Sequence, residues 1–266
     1  AEQIELPASL GGSFPNRGYY GTLKHNAKAV YQRYFGWYDG NPANLDPLPP
    51  AQAGAKYVEL AGGAAKLVEH AQAAYDRGEY RWAAEVLNHL VFADPDDQDA
   101  KELLAQVYDQ LGYQAESGPW RDSYLTGAFE LRHGGPDVGV DLATAMNMLE
   151  HAPLERFLDA MAARLVPDKA EGKEMVVNLV FTDVNASYVL VLENSVLRHY
   201  ERDPDPRANV TLKITKTLYL RMLAGQAGLK DTLFGDDLEI EGSRLDLVSF
   251  FRLFDKPDGT FNIVTP

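Results

Sequence analysis

Met175-Val-Val-Asn-Leu-Val-Phe181, then Asp183-Val-Asn185, then Ser187-Tyr-Val-Leu-Val-Leu-Glu193 read as strand, turn and antiparallel strand. Apolar and β-branched residues fill both runs, and Asp and Asn suit the turn between them. Further on, 196–200 reads as a third strand, Asp203-Pro-Asp-Pro206 as a turn and 209–214 as a fourth strand. Thr215 caps a helix over 216–224, Leu238-Glu-Ile-Glu241 is a short strand, and Ser243 caps a helix through Phe254. Phe261-Asn-Ile-Val264 closes the chain. Before the first strand, Pro167 and Gly172 end a helix that carries Met148, Phe157, Leu158, Met161 and Leu165 and stops near Val166. Strands in succession with helices laid on them make an α+β unit with a mostly antiparallel sheet.

Upstream, the period is helical. Ala-rich segments cover 51–61, 64–77, 80–92, 97–111 and 116–132, with breaks at Gly62-Gly63, Gly78, Asp94-Pro95, Gly112 and Gly134-Gly135. The spacing of 34 residues from Gly78 to Gly112 makes one tetratricopeptide-like period. A free-standing solenoid needs about three repeats, so one period points to helix hairpins that dock on another domain or subunit. His133-Gly-Gly-Pro136 opens a linker over 133–140. Residues 1–22 are rich in Gly, Pro and aromatics and read as ordered loop; a helix follows from near Leu23 to Phe35 and ends at Asp39-Gly-Asn-Pro42. The expected class is therefore α + (α+β): helix hairpins over 47–135, preceded by a segment 1–46, and an α+β domain over 141–266.

Length fits about two domains. The 266 residues carry 45% hydrophobic residues and a formal net charge of -14. That negative field argues against nucleic-acid partners. No cysteine occurs, which removes disulfides, thiolate catalysis and cysteine zinc sites. No apolar run reaches the ~18 residues of a membrane span. Ala1-Glu2-Gln3-Ile4 lacks the basic and apolar regions of a signal peptide, and it lacks an initiator Met, so a processed chain or a piece of a longer one is expected. The compartment stays open; periplasm or secretion is compatible.

The search for chemistry is mostly negative. His25, His70, His89, His133, His151 and His199 form no HxH, HExxH or HxxxH pair, so no metal site is expected in this chain. Asp94, Asp96, Asp97 and Asp99 lack the glycine and glutamate of a calcium loop and read as acid at a helix N-terminus. No GxSxG, GxxxxGK or GxGxxG occurs. Tyr19, Tyr20, Tyr31, Tyr34, Phe35, Trp37 and Tyr38 crowd one segment with Arg17, His25 and Arg33. Tyr31, Tyr34 and Tyr38 fall at helical spacing and are expected to share a face. That segment either packs against a neighbour or forms one wall of an anion pocket, because phenols, a histidine and an arginine all donate hydrogen bonds to sulfate or phosphate. The helices around 218–223 and 245–254, with Leu229 and Leu233-Phe234 between them, are apolar beyond one stripe; they either enclose an apolar cavity or simply pack a core.

The run Arg17-Gly-Tyr-Tyr-Gly-Thr-Leu-Lys-His-Asn-Ala-Lys-Ala-Val-Tyr-Gln-Arg-Tyr-Phe-Gly-Trp-Tyr-Asp-Gly-Asn-Pro-Ala43 resembles the segment after the catalytic domain in alkyl sulfatases of the metallo-β-lactamase superfamily. Tyr80-Arg-Trp-Ala83, His89-Leu-Val-Phe-Ala-Asp-Pro95, Leu111-Gly-Tyr-Gln-Ala-Glu-Ser117 and Trp120-Arg121 resemble that family's helical dimerisation domain. Phe181-Thr-Asp183, Leu192-Glu-Asn-Ser195, Leu233-Phe-Gly235 and Ile240-Glu-Gly242 resemble its sterol-carrier-protein-like domain. Lys24 stands where relatives often carry Ser.

The resemblance implies a homodimer through the helical domain, with 1–46 packing against a catalytic metallo-hydrolase domain that this chain lacks. That absent domain would hold two zinc ions through an HxHxDH motif and hydrolyse alkyl sulfates such as dodecyl sulfate to alcohol and sulfate. No cofactor is expected in this chain, and no complete catalytic set; the chain alone is expected to be inactive. His25 matches a histidine of the sulfate pocket, and Tyr31 and Tyr38 are further substrate-binding candidates. The competing expectation is a stand-alone module that binds a lipid or fatty alcohol in its α+β half and a protein partner on its hairpins.

Overall fold

The computed structural model describes residues 1–139, 144, 146–227, 238–255 and 259–266. Two compact units emerge, Ala1–Asp137 with Thr260–Pro266, and Val138–Gly259.

In the helical unit a short turn of helix, α1 (Ala8–Gly11), precedes α2 (Leu23–Phe35), α3 (Pro50–Ala61), α4 (Ala64–Asp76), α5 (Tyr80–Ala93), α6 (Gln98–Gln114) and α7 (Gly118–His133). Local chemistry sets the ends. The Thr22 hydroxyl accepts from the His25 amide, Asp97 from Ala100 and Ser117 from Trp120, so each supplies a first-turn acceptor. Asp97 thus acts as a helix cap, as the acidic cluster suggested. Gly62, at φ 90°, ends α3 in the left-handed conformation. Gly54 marks where α3 meets α5: a Cβ there would lie 2.3 Å from the His89 carbonyl oxygen. The core between helices holds Leu67, Leu87, Leu90, Leu104 and Leu131.

Val264 belongs to the same core. The buried Glu130 carboxylate on α7 accepts the amides of Ile263 (2.9 Å) and Val264 (2.9 Å). The last seven residues therefore associate with helices, whereas a domain drawn over 141–266 assigns them to the sheet.

In the second unit β1 (Met175–Phe181), β2 (Ala186–Glu193), β3 (Val196–Glu201), β4 (Val210–Ile214) and β5 (Leu238–Gly242) form one sheet in the order β3-β2-β1-β4-β5. Among the described strands the central β1–β4 pair is parallel and the other three pairs are antiparallel. Asn194 and Ser195 connect β2 to β3 with φ of 52° and 57°, the backbone of a two-residue hairpin whose twist matches its strands. Asn178 is the buried polar residue of β1; its amide bonds the Asp205 carbonyl and the Thr211 hydroxyl and accepts the Asp205 amide, pinning the β3–β4 loop.

Helices α8 (Met146–His151), α9 (Leu154–Ala163), α10 (Pro167–Ala170), α11 (Lys216–Leu223) and α12 (Arg244–Phe251) accompany the sheet. Thr215 and Ser243 cap α11 and α12 as expected, and Asp183 adds a second cap by accepting the amides of Lys216 and Thr217. The single helix expected before Val166 is instead two: Pro153, with no amide hydrogen, separates α8 from α9. The last helix stops at Phe251 rather than Phe254. Leu158, Leu179, Phe181, Leu190, Leu212 and Phe250 are fully buried in this unit's core. Leu229 and Leu233-Phe-Gly235 lie outside the described residues.

Candidate functional site

Two places combine exposure, shape and polar chemistry, one in each unit. The first is α2 with its flanking loops. None of its residues is buried. Tyr34 is 82% exposed, Phe35 69% and Trp37 73%. An aromatic surface of this kind marks an interaction face.

His25 is the most constrained of the expected site residues. The indole Nε1 of Trp120 donates to His25 Nδ1 at 3.0 Å, and the two rings meet edge to face at 6.0 Å. Indole nitrogen only donates, so Nδ1 is the acceptor and a neutral ring carries its proton on Nε2. The Nε2–H is then a positioned donor. Ser117 anchors the loop before α2, since its hydroxyl donates to the Tyr20 carbonyl (2.6 Å) while the Gly118 amide donates to the Tyr19 carbonyl (2.8 Å).

The other candidates separate. Tyr31 stacks on Phe35 at 4.8 Å within α2. Tyr38 does not share that face, because Gly36, at φ 77°, ends the helix first. Tyr38 tilts against Trp37 instead, at 5.6 Å. No ring contact or hydrogen bond joins His25, Tyr31 and Tyr38 to one another among the described residues. Arg17 is engaged with the Glu116 carboxylate and lies 5.4 Å from the Tyr19 ring. Arg33 has no ion-pair partner among the described residues. Trp120 is 95 positions from His25 and nothing local in the sequence signals the pair.

The second place is a cavity of about 570 Å³ inside the sheet unit. Phe157 and Met161 of α9, Leu212 of β4, Met222 and Leu223 of α11, and Phe251 of α12 form its apolar wall. The volume suits a small-molecule ligand. Three of the described lining residues are polar. Arg164 and Asp255 hold each other: Arg164 Nε donates to the Asp255 carbonyl at 3.1 Å, the Asp255 amide donates to the Arg164 carbonyl at 3.0 Å, and the Asp255 carboxylate lies 3.9 Å from the guanidinium. Tyr219 is the third. Its hydroxyl is buried and has no hydrogen-bond partner among the described residues. Burial pushes this phenol well above its ordinary pKa, with the Arg164 charge pulling weakly the other way.

A groove of about 440 Å³ also opens in the helical unit, where Tyr57 stacks on His89 at 3.9 Å beside the exposed Leu60 and Trp82. Burial holds the His89 imidazole below its usual pKa. Among the described residues no three histidine or carboxylate side chains converge to hold a metal ion. No helix among them is long and apolar enough to cross a membrane.

Comparison with known proteins places both units. The family described as alkyl sulfatase dimerisation matches residues 1–134, and the one described as alkyl sulfatase C-terminal matches 143–266. A linear primary-alkylsulfatase of Pseudomonas sp. is 43% identical over all of this chain and 40% of its own length. An alkyl/aryl-sulfatase of Saccharomyces cerevisiae is 45% identical over all of this chain and 41% of its own. The solved structure of a stereoselective inverting sec-alkylsulfatase from Pseudomonas sp. superposes with a TM-score of 0.88 at 43% identity, covering 100% of this chain and 42% of that one. The chain thus spans about two fifths of the length of these relatives. With both units matched, and the solved relative tracking the whole chain, this protein belongs to the alkyl sulfatase family and carries its dimerisation and C-terminal regions.

Proposed function

We propose that this chain is the dimerising and alkyl-chain-handling portion of an enzyme that hydrolyses alkyl sulfate esters to alcohol and sulfate. The observation that carries this reading is the apolar cavity of the sheet unit, sized for a small ligand and free of any nucleophile–base pair among its described lining residues. Such a space shelters a hydrocarbon chain and performs no hydrolysis. The family's two zinc ions belong, on this reading, to a preceding catalytic domain; the described residues bring together no set of ligands for them.

The aromatic face of α2 is the seam with that domain. Covering Tyr34, Phe35 and Trp37 removes apolar surface from water, which favours association. His25, oriented by Trp120, presents its Nε2–H toward a sulfate oxygen, and Arg33 supplies positive charge against the overall -14. Tyr31 and Tyr38 line the same seam from separate positions.

Dimerisation is assigned to the helical unit. Sedimentation equilibrium of the chain tests it: twice the 29.5 kDa of one chain is expected, and a monomer at micromolar concentration contradicts it. One observation favours a second reading, a stand-alone fatty-alcohol carrier: the described cavity lining comes wholly from the sheet unit. Intact mass of the native protein separates the two, since a carrier would exist at 29.5 kDa without a catalytic domain.

A further inference from the structure

The helical unit carries a second apolar face besides α2, and this one is concave. The groove of about 440 Å³ follows α5, with α3 on one side and α4 on the other. Trp82, Glu85, Val86 and His89 fall at helical spacing and share one face of α5. Tyr57 and Leu60 come from α3, and the buried Leu67 from α4. Leu60 is 82% exposed and Trp82 55%, and both border the groove. Projecting and hollow apolar surface therefore lie side by side, and covering them removes hydrocarbon from water.

Charge argues for what covers them. The chain carries -14, so two copies repel wherever unpaired carboxylates meet. Around this groove the charges are mostly paired. Lys56 pairs with Glu59 at 2.8 Å and Arg77 with Glu79 at 2.9 Å, while burial favours the neutral form of His89. Glu85 is the one carboxylate among the described lining residues. The face thus bears little of the chain's negative charge, and it lies in the region assigned above to dimerisation. With the α2 face assigned to a catalytic domain, this groove is left for a second copy. A two-fold dimer uses the same patch on both copies, so the patch must fit itself. Here Leu60 is the projecting group and the groove beside it the receiving one.

We propose that two copies of this chain associate through the α3–α5 groove about a two-fold axis, Leu60 of each copy entering the other's groove against the partner's Trp82 and the partner's Val86. The inference rests on the dimerisation reading above and names its contact surface.

Sedimentation equilibrium of the 266-residue chain is compared with that of Leu60→Glu and Tyr34→Glu, each checked for native helix content by circular dichroism. Both side chains stand out in water in the single chain, so neither change disturbs its core. Leu60→Glu should raise the dimer dissociation constant at least tenfold, since each copy then buries a carboxylate in place of a leucine. Tyr34→Glu should leave it unchanged. In hydroxyl-radical footprinting of the unaltered dimer, Trp82 should be oxidised several times more slowly than Trp37, although the single chain exposes 55% of one and 73% of the other. An unchanged dissociation constant in Leu60→Glu overturns the assigned surface. So does an equal weakening in Tyr34→Glu, or comparable oxidation of Trp82 and Trp37 in the dimer. A monomeric unaltered chain overturns dimerisation itself, and the surface with it.

Discussion

Trp120 and His25 are joined by a 3.0 Å hydrogen bond from indole Nε1 to imidazole Nδ1, across 95 residues of sequence. The bond ties the start of α7 to the start of α2 and decides which imidazole nitrogen faces outward. It predicts that ¹⁵N spectra show the neutral His25 ring as the Nε2–H tautomer. Trp120→Phe removes the donor while retaining an aromatic ring. It should lower stability by about 1 kcal/mol and let both tautomers appear. A spectrum unchanged by Trp120→Phe would remove His25 from its oriented role.

Gly54 permits the approach of α3 to α5. Ala normally stabilises a helix relative to Gly by about 1 kcal/mol. Here its Cβ would fall 2.3 Å from a backbone oxygen of His89, which cannot rotate away. Gly54→Ala should therefore destabilise the helical unit by about 1–3 kcal/mol, read as a lower denaturation midpoint. A stabilised variant would show that the helices are not packed this closely.

Glu130 holds the chain end. Its carboxylate accepts the amides of Ile263 and Val264 from a buried position. Glu130→Leu keeps bulk and removes both acceptors, leaving two amides unpaired at a cost of about 1–3 kcal/mol. Hydrogen exchange at 263 and 264 should accelerate well before exchange in β1. Equal acceleration across both units would contradict the local role.

His89 gives the helical unit a pH dependence. Its pKa is lowered by burial, so the unfolded chain binds this proton more readily than the folded one. Stability contributed by the neutral ring is present above the usual histidine range and declines as pH falls from about 6.5 toward the depressed value, where the loss levels off. His89→Gln should flatten the fall in melting temperature of the helical unit over that window, and an unchanged slope would assign it to other groups.

Local chemistry was legible and distant chemistry was not. Thr215 and Ser243 could be named as caps because a cap and its amide lie within three residues. The strands from Met175 onward followed from runs of apolar and β-branched residues bounded by turn residues. Tyr38 was misplaced because helical spacing was carried through Gly36, whose positive φ ends α2. Pro153 divides a helix whose apolar spacing reads continuously across it. The Trp120–His25 bond, the Glu130 anchor and the Arg164–Asp255 pair each join residues more than 90 positions apart, so no local pattern encodes them. The cavity was half legible: the breadth of apolar surface on the C-terminal helices suggested it, while the unpartnered Tyr219 hydroxyl emerged only from the packing.

Sulfate release tests the central claim most directly. Purified chain is incubated with zinc and dodecyl sulfate below its micelle-forming concentration, alongside the same chain joined to an alkyl sulfatase catalytic domain at its N-terminus. The account predicts no release above the uncatalysed rate from the chain alone, and turnover from the joined protein that falls at least tenfold in His25→Ala. Turnover by the chain alone would contradict it.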